Sequence, residues 1–365
     1  MLSLRSILII LFLSSQQALA SQPQAQESLN EAPHLFIQNN GSVLAKWIDQ
    51  GEVQSQAFAK GKPIVLPQFQ ELLGKKLLLQ THKPSPAIWK MPKKLFAISD
   101  VEGEYERVLR FLKTNHIVDK KGRWAYGKGH LVCIGDFVDR GLQVTEVLLF
   151  FHRLDREALQ AGGRVHFLIG NHEAMVMGGD VRYTAPKYKE SAAKFGIEIK
   201  DLLGPDTEIG RWLRTRNSLI RIGEFVFVHA GVSPQVASKK VDYQSVNWAI
   251  QQVLGQRRKD IQKKYAAELT WGRTGPLWYR GYFDKHAEKY GPTPDSKAVD
   301  QILKNLGGKT IVIGHTKVSE IKEIYSDRRV IDIDTTWTKD KKAAGLLIDK
   351  DGIKTVDMFG KQTKF

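Results

Sequence analysis

Five short apolar runs in this sequence end on a side chain that can bind a metal or move a proton. Leu95–Ser99 runs into Asp100, Leu131–Gly135 into Asp136 and Val165–Gly170 into Asn171. Phe225–Val228 runs into His229, and Thr310–Gly314 into His315. Two carboxylates, one amide oxygen and two imidazoles form a mixed oxygen and nitrogen donor set. Such a set suits Mn²⁺, Fe or Zn²⁺ better than a thiol-seeking metal. Five ligands plus water are too many for one tetrahedral ion. They fit two ions that share a bridging carboxylate, at the roughly 3.5–4 Å separation of two-metal hydrolytic sites.

The elements that must position these residues follow from the runs themselves. Each run is strand-length and rich in β-branched or aromatic residues. Helical patterns lie between several of them: Tyr105, Val108, Leu109 and Leu112 share one face, as do Val246, Ala249, Ile250, Val253 and Leu254. Alternating strands and helices predict an α/β core, whose sites gather at the carboxyl ends of the strands. Two helical insertions are expected near residues 185–215 and 242–268. The second carries Arg257, Arg258, Lys259, Lys263 and Lys264, which read as a solvated helix face or as an anion-docking patch.

Ahead of this core, Met1–Ala20 has a basic start at Arg5, an apolar run Ile7–Leu13 and small residues at Ala18 and Ala20. That is the pattern of a secretory signal, and the run is too short for a permanent membrane anchor. The expected location is the periplasm or the exterior. Residues 21–33 read as a flexible leader, and 34–93 as a β-rich prelude and a proline-bearing linker. The residues leave the role of the prelude open, shaping one wall of a substrate groove being one reading. The catalytic domain is placed at 94–360. The single cysteine, Cys133, excludes a disulfide framework and sits in a core run. A 365-residue chain with 42% hydrophobic and 26% charged residues is not a disordered or multi-span membrane protein. Its net charge of +16 favours anionic partners. The basic residues are dispersed, and no specific nucleic-acid reader motif is present. The residues leave the oligomeric state open.

Local sequence sharpens the site. Gly135–Gly141 reads GDFVDRG, Gly170–Glu173 reads GNHE, His229 opens HAGVSP, and Gly314-His315 follows. In this order and spacing the chain resembles the calcineurin-like metallophosphoesterase superfamily, on its phosphoprotein phosphatase side. Gly179–Tyr183 and Gly275–Arg280 look most like the bacterial Shewanella-like phosphatases. The resemblance covers about residues 94–350. It implies an α/β fold with a central β-sandwich flanked by helices, here with a small N-terminal β-rich segment. It implies that Asp136 bridges two divalent ions, Asp100 binds the first, and Asn171, His229 and His315 bind the second. His172 would be the general acid, oriented by Asp139. Arg140 would hold phosphate oxygens, with Arg280 as a second clamp in competition with Arg182 and Arg273. The implied reaction is attack of metal-bound hydroxide on a phosphomonoester, in a phosphorylated protein or peptide or a small phosphoester.

One position departs from the family pattern. Where the first motif has Asp-x-His, this chain has Asp100-Val101-Glu102. Glu102 is expected to bind the first ion through oxygen. An oxygen-rich shell points to Mn²⁺ first, with Fe, Zn²⁺ or Mg²⁺ as alternatives, and to more alkaline activity. The other readings are a nucleotide phosphohydrolase of the same superfamily and an anion-binding pseudo-phosphatase. The remaining seven of the ten histidines, such as His34, His116 and His286, read as surface or satisfied core groups.

Overall fold

The computed structural model describes residues 28–340 and 342–365, so the stretch expected to be a secretory signal and most of the expected leader lie outside the described residues. The N-terminal unit is an antiparallel sheet of β1 (Glu31–Ile37), β2 (Val43–Asp49) and β3 (Glu52–Phe58). Its first strand begins inside the stretch expected to be a flexible leader. Burial explains why. Ala32 and Leu35 are in the core, and the buried Glu31 carboxylate meets His34, Thr145 and Lys187.

Two six-stranded sheets form the body. The first has the order β15-β14-β13-β5-β6-β7. Here β5 (Lys94–Ile98), β6 (His130–Cys133) and β7 (Arg164–Phe167) are parallel. The strands β13 (Ala344–Asp349), β14 (Gly352–Asp357) and β15 (Gln362–Lys364) extend the sheet by successive antiparallel pairings, β13 against β5, β14 against β13 and β15 against β14. The last strand carries the domain past the expected limit at residue 360. The second sheet has the order β11-β12-β10-β9-β8-β4. It comprises β4 (Ile88–Trp89), β8 (Leu219–Ile222), β9 (Phe225–Val228), β10 (Thr310–Ile313), β11 (Lys322–Tyr325) and β12 (Val330–Asp332). The linker is therefore partly structural: its Ile88 and Trp89 pair with Arg221 and Ile222.

Continuous apolar runs became strands because both faces are covered. Leu95, Phe96, Ala97 and Ile98 are all buried, as are Phe225 to Val228. The covering helices are amphipathic. In α2 (Tyr105–Thr114) the face of Tyr105, Val108, Leu109 and Leu112 is buried. In α3 (Val144–Gln160) the buried residues run almost unbroken from Val144 to Leu154. A short helix α1 (Gln70–Leu73) packs on α3, and α4 (Asn171–Met177) starts where the β7 run ends. The first insertion contains α5 (Pro186–Phe195) and α6 (Glu208–Leu213), and the second α7 (Tyr243–Gln251) and α8 (Lys264–Trp271). Two further helices, α9 (Ala287–Tyr290) and α10 (Ser296–Leu306), precede β10. Among the described residues no helix is long and apolar enough to cross a membrane.

Candidate metal centre

The loops after β5, β6, β7, β9 and β10 converge between the two sheets. Their backbone is unusual. Ten described non-glycine residues adopt a left-handed conformation, and six of them are Asp100, Glu102, Asp136, Asp139, Arg140 and His315. Each such residue costs on the order of 1–3 kcal/mol, which concentrates strain at the site. Cross-loop bonds hold it in place: Asp100 N–H donates to Gly135 O at 3.1 Å and Glu102 N–H to Asp136 O at 3.0 Å. The buried Glu173 carboxylate accepts from the N–H groups of Asp136, Phe137 and Gly170 at 2.9, 2.8 and 2.8 Å. Burial, reinforced by Asp136, pushes the Glu173 carboxyl up to about 7. The motif glycines leave room for this packing. A Cβ on Gly135 would sit 2.6 Å from Gly170 N and 2.9 Å from His229 Nδ1, and one on Gly170 would sit 2.6 Å from Asp136 N.

Four donor atoms meet at one point. His229 Nε2 lies 2.9 Å from Asn171 Oδ1, 3.2 Å from His315 Nδ1 and 3.2 Å from Asp136 Oδ2. All four residues are buried. The partners outside the cluster set the orientation. His229 Nδ1 lies 2.8 Å from Ile134 O, which can only accept, so Nδ1 donates there and Nε2 is the nitrogen turned inward to the cluster. Asn171 Nδ2 faces Met175 Sδ at 3.8 Å, leaving Oδ1 for the cluster. Burial opposes charge on His229, but Asp136 outweighs it and takes the imidazole up to about 9. Burial also opposes charge on Asp136, yet His229 and then His172 hold its carboxyl well below the usual range. Tetrahedral ligands at the 2.0–2.2 Å lengths typical of zinc lie roughly 3.3–3.6 Å apart. The cluster is slightly tighter than that and fits a divalent ion.

Beside it stands a carboxylate-rich half. Asp100 Oδ2 accepts from His315 N–H at 3.1 Å and from Ser99 Oγ. Burial raises the Asp100 carboxyl, and Asp136 raises it further. Glu102 is raised to about 7 by burial, with Asp100 and Asp136 adding to the effect. Asp334 is buried, has an Oδ1 with no hydrogen-bond partner among the described residues, and is raised by burial and then by Asp100. Carboxylates that suppress one another's ionisation fit a second divalent cation, which would relieve that repulsion.

The structure brings the remaining expected residues to the same place, with one rearrangement. His172 Nδ1 lies 2.7 Å from Asp139 Oδ2, and His172 Nε2 faces Asp136 Oδ2 at 3.8 Å. Burial lowers His172, but Asp136 and Asp139 together raise it above its ordinary value. Arg140 pairs with Glu102 rather than standing free, and its guanidinium lies 5.4 Å from the Tyr183 ring centre. Arg280 approaches Thr316 Oγ1 at 3.4 Å, next to His315. Arg182 is exposed and forked onto Asp180, and Arg273 is exposed.

A groove of about 1110 Å³ opens beside these residues. It is lined by Arg182, Arg257, Arg258, Lys259, Arg273 and Lys289, with Asp180 as its acidic group. Tyr183 and Trp278 connect it to the centre, their rings 5.2 Å from His172 and 6.1 Å from His315. None of its lining residues comes from the N-terminal sheet. Instead, Pro33, His34 and Leu35 line a small cavity behind Asp139 and Thr184.

Several contributors were missed in the sequence. Thr184 Oγ1 donates to Asp139 Oδ1 at 2.6 Å, and Trp337 Nε1–H donates to Ser99 O at 2.7 Å. Glu173 stood in the GNHE block without a role. Asp332 and Asp334 follow an apolar run, Val330-Ile331, just as the recognised strand-end residues do.

A two-sheet α/β fold with a polar, metal-ready cluster across its strand ends defines a phosphoester hydrolase of the metal-dependent kind. The chain belongs to the calcineurin-like phosphoesterase family, whose model matches residues 93–319. Among solved structures it is similar to a cold-active protein-tyrosine phosphatase of a psychrophilic Shewanella species. That likeness has 30% identity and a TM-score of 0.82, over 92% of this chain and 98% of the other. It is also 27% identical to Shewanella-like protein phosphatase 2 of Arabidopsis thaliana, over 62% of this chain and 66% of that one. A symmetrical bis(5'-nucleosyl)-tetraphosphatase of Methylococcus capsulatus is 31% identical over 38% of this chain and 44% of its own length.

Proposed function

We propose that this protein is a phosphomonoesterase acting on phosphorylated proteins or peptides, phosphotyrosine foremost, through a centre of two divalent ions. The observation that carries the reading is the convergence of Asp136, Asn171, His229 and His315 beside the His172–Asp139 pair. Asp136 would be shared by both ions, Asp100 and Glu102 would hold the one in the oxygen-rich half, and Asn171, His229 and His315 would hold the other. Divalent ions held there would lower the pKa of water and offset charge on the phosphoryl group.

The chain's own residues supply the rest. Asp139 holds the His172 Nδ1–H, which leaves Nε2 facing Asp136 and the centre. Burial opposes charge on His172, but Asp136 and Asp139 favour it, which supports a proton at Nε2 for delivery to the leaving oxygen. Arg140 carries a guanidinium fork to phosphate oxygens, in exchange for its pairing with Glu102. Arg280 serves as a second clamp next to His315. The cationic groove draws in an anionic peptide.

The oxygen-rich half favours Mn²⁺ and shifts activity toward alkaline pH. An optimum below neutral in the Mn²⁺ form would contradict that part. Residues 1–20 direct export to the periplasm or beyond; a mature N-terminus at Ser21 after secretion would support this, and retention of Met1 would oppose it. Sequence similarity to Shewanella-like protein phosphatase 2 extends over 62% of this chain, against 38% for the tetraphosphatase, which favours a peptide over a dinucleotide. A substrate panel tests the choice. Faster turnover of phosphotyrosine peptides than of phosphoserine peptides and dinucleoside polyphosphates is expected. Preference for the dinucleotide would replace this reading.

A further inference from the structure

A second group of metal-ligand side chains lies outside the catalytic centre. His82 begins the linker, His152 is on α3 and Glu208 opens α6. Glu208 Oε1 lies 3.0 Å from His82 Nε2 and 3.2 Å from His152 Nε2. A ligand atom from each of the three falls within 4.8 Å of the others. The side chains of His152 and Glu208 are each 2% exposed, and that of His82 14%.

An ordinary hydrogen-bonded clamp does not account for all of this. Both imidazoles direct Nε2 to the same carboxylate oxygen, yet among the described residues the buried His152 Nε2 makes no aligned hydrogen bond. An unpartnered buried nitrogen is costly in a plain core. The spacings approach the roughly 3.3 Å expected between tetrahedral ligands at 2.0–2.1 Å bond lengths. Two histidines and one glutamate are a common zinc set, with a fourth position left for water. The side on which His82 is exposed gives water or an ion a route in. The half-buried Arg156 brings one positive charge to Glu208, but Asp155 and Glu157 also act on it.

We propose that His82, His152 and Glu208 bind one zinc-class divalent ion that pins the linker to α3 and α6. The ion joins three segments distant in sequence. The linker leads into β4 and β5, and α6 packs on β1, so it also braces the N-terminal sheet against the body. This role is structural and independent of how many ions the catalytic centre holds.

The test uses the full chain, stripped with a chelator, reloaded with Zn²⁺ and desalted. Bound zinc is counted by elemental analysis in wild type, His82→Gln and His152→Ala. Each variant is expected to hold one zinc fewer per chain than wild type. Zinc should raise the melting temperature of wild type more than that of either variant, and His82→Gln should keep turnover within about 2-fold. If His152→Ala misfolds by circular dichroism, His82→Gln decides alone, since its side chain is the most exposed of the three. Equal zinc counts and equal zinc-induced melting shifts in wild type and His82→Gln would overturn the proposal and leave a metal-free ion-pair clamp.

Discussion

At the residue scale, the paired groups His172–Asp139 and Arg140–Glu102 make separable demands. Replacing His172 with Asn should lower kcat by about 10²–10⁴-fold. The loss should be larger for phenyl phosphate than for para-nitrophenyl phosphate, whose leaving group needs no proton. Equal losses on both would remove His172 from the role of acid. Asp139→Asn should cost about 10- to 100-fold, because it orients the imidazole without touching substrate. Much of this was legible in the sequence. Asp100, Asp136, Asn171, His229 and His315 each follow an apolar run, and a strand buried on both faces leaves few polar positions except at its end. The Arg140–Glu102 pair was not legible. It depends on left-handed backbone at both residues, which folds two loops 38 positions apart onto each other. Asp334 was legible in principle, since its run has the same form, but no familiar motif surrounds it.

At the scale of elements, the loops after β5, β6 and β7 are set by what Glu173 and the motif glycines permit. Glu173→Gln puts an amide N–H₂ against backbone N–H groups that now find a carboxylate. It should destabilise the fold by about 1–3 kcal/mol in denaturant melts, because buried donors lose their acceptor. Gly170→Ala should leave the strands intact but push Asp136 away, since its Cβ would lie 2.6 Å from Asp136 N. Metal affinity measured by calorimetry should fall at least 10-fold; unchanged affinity would mean the loop yields freely. The helices covering the sheets were predictable from their apolar faces. The two-residue β4 was not. Ile88 and Trp89 lie among Pro84, Pro86 and Pro92, and only the open edge of β8 makes them a strand.

At the scale of the whole molecule, one core binds the N-terminal sheet, both six-stranded sheets and the helices. Acid should loosen it at a histidine pair between β6 and β7. His166 Nε2 and His130 Nδ1 are 3.0 Å apart, with Trp89 edge-on to both rings. Burial lowers His130 to about 4 and His166 well below its ordinary value. Below pH 6.5 the unfolded chain takes up protons that the fold refuses, so stability falls as pH drops. The window for His130 runs from 6.5 down to about 4. His166→Phe should flatten that fall in melts at pH 7 and pH 5, and an unchanged slope would place the acid sensitivity elsewhere. The central claim is that the strand-end cluster is a working metal centre. The direct measurement is para-nitrophenyl phosphate hydrolysis by protein stripped with a chelator and resupplied with Mn²⁺, Mg²⁺, Zn²⁺ or nothing, beside Asp136→Asn. The account predicts turnover restored by metal, Mn²⁺ most, and lost by at least 10²-fold in the variant. No turnover with any ion in folded protein, or equal turnover in Asp136→Asn, would contradict it.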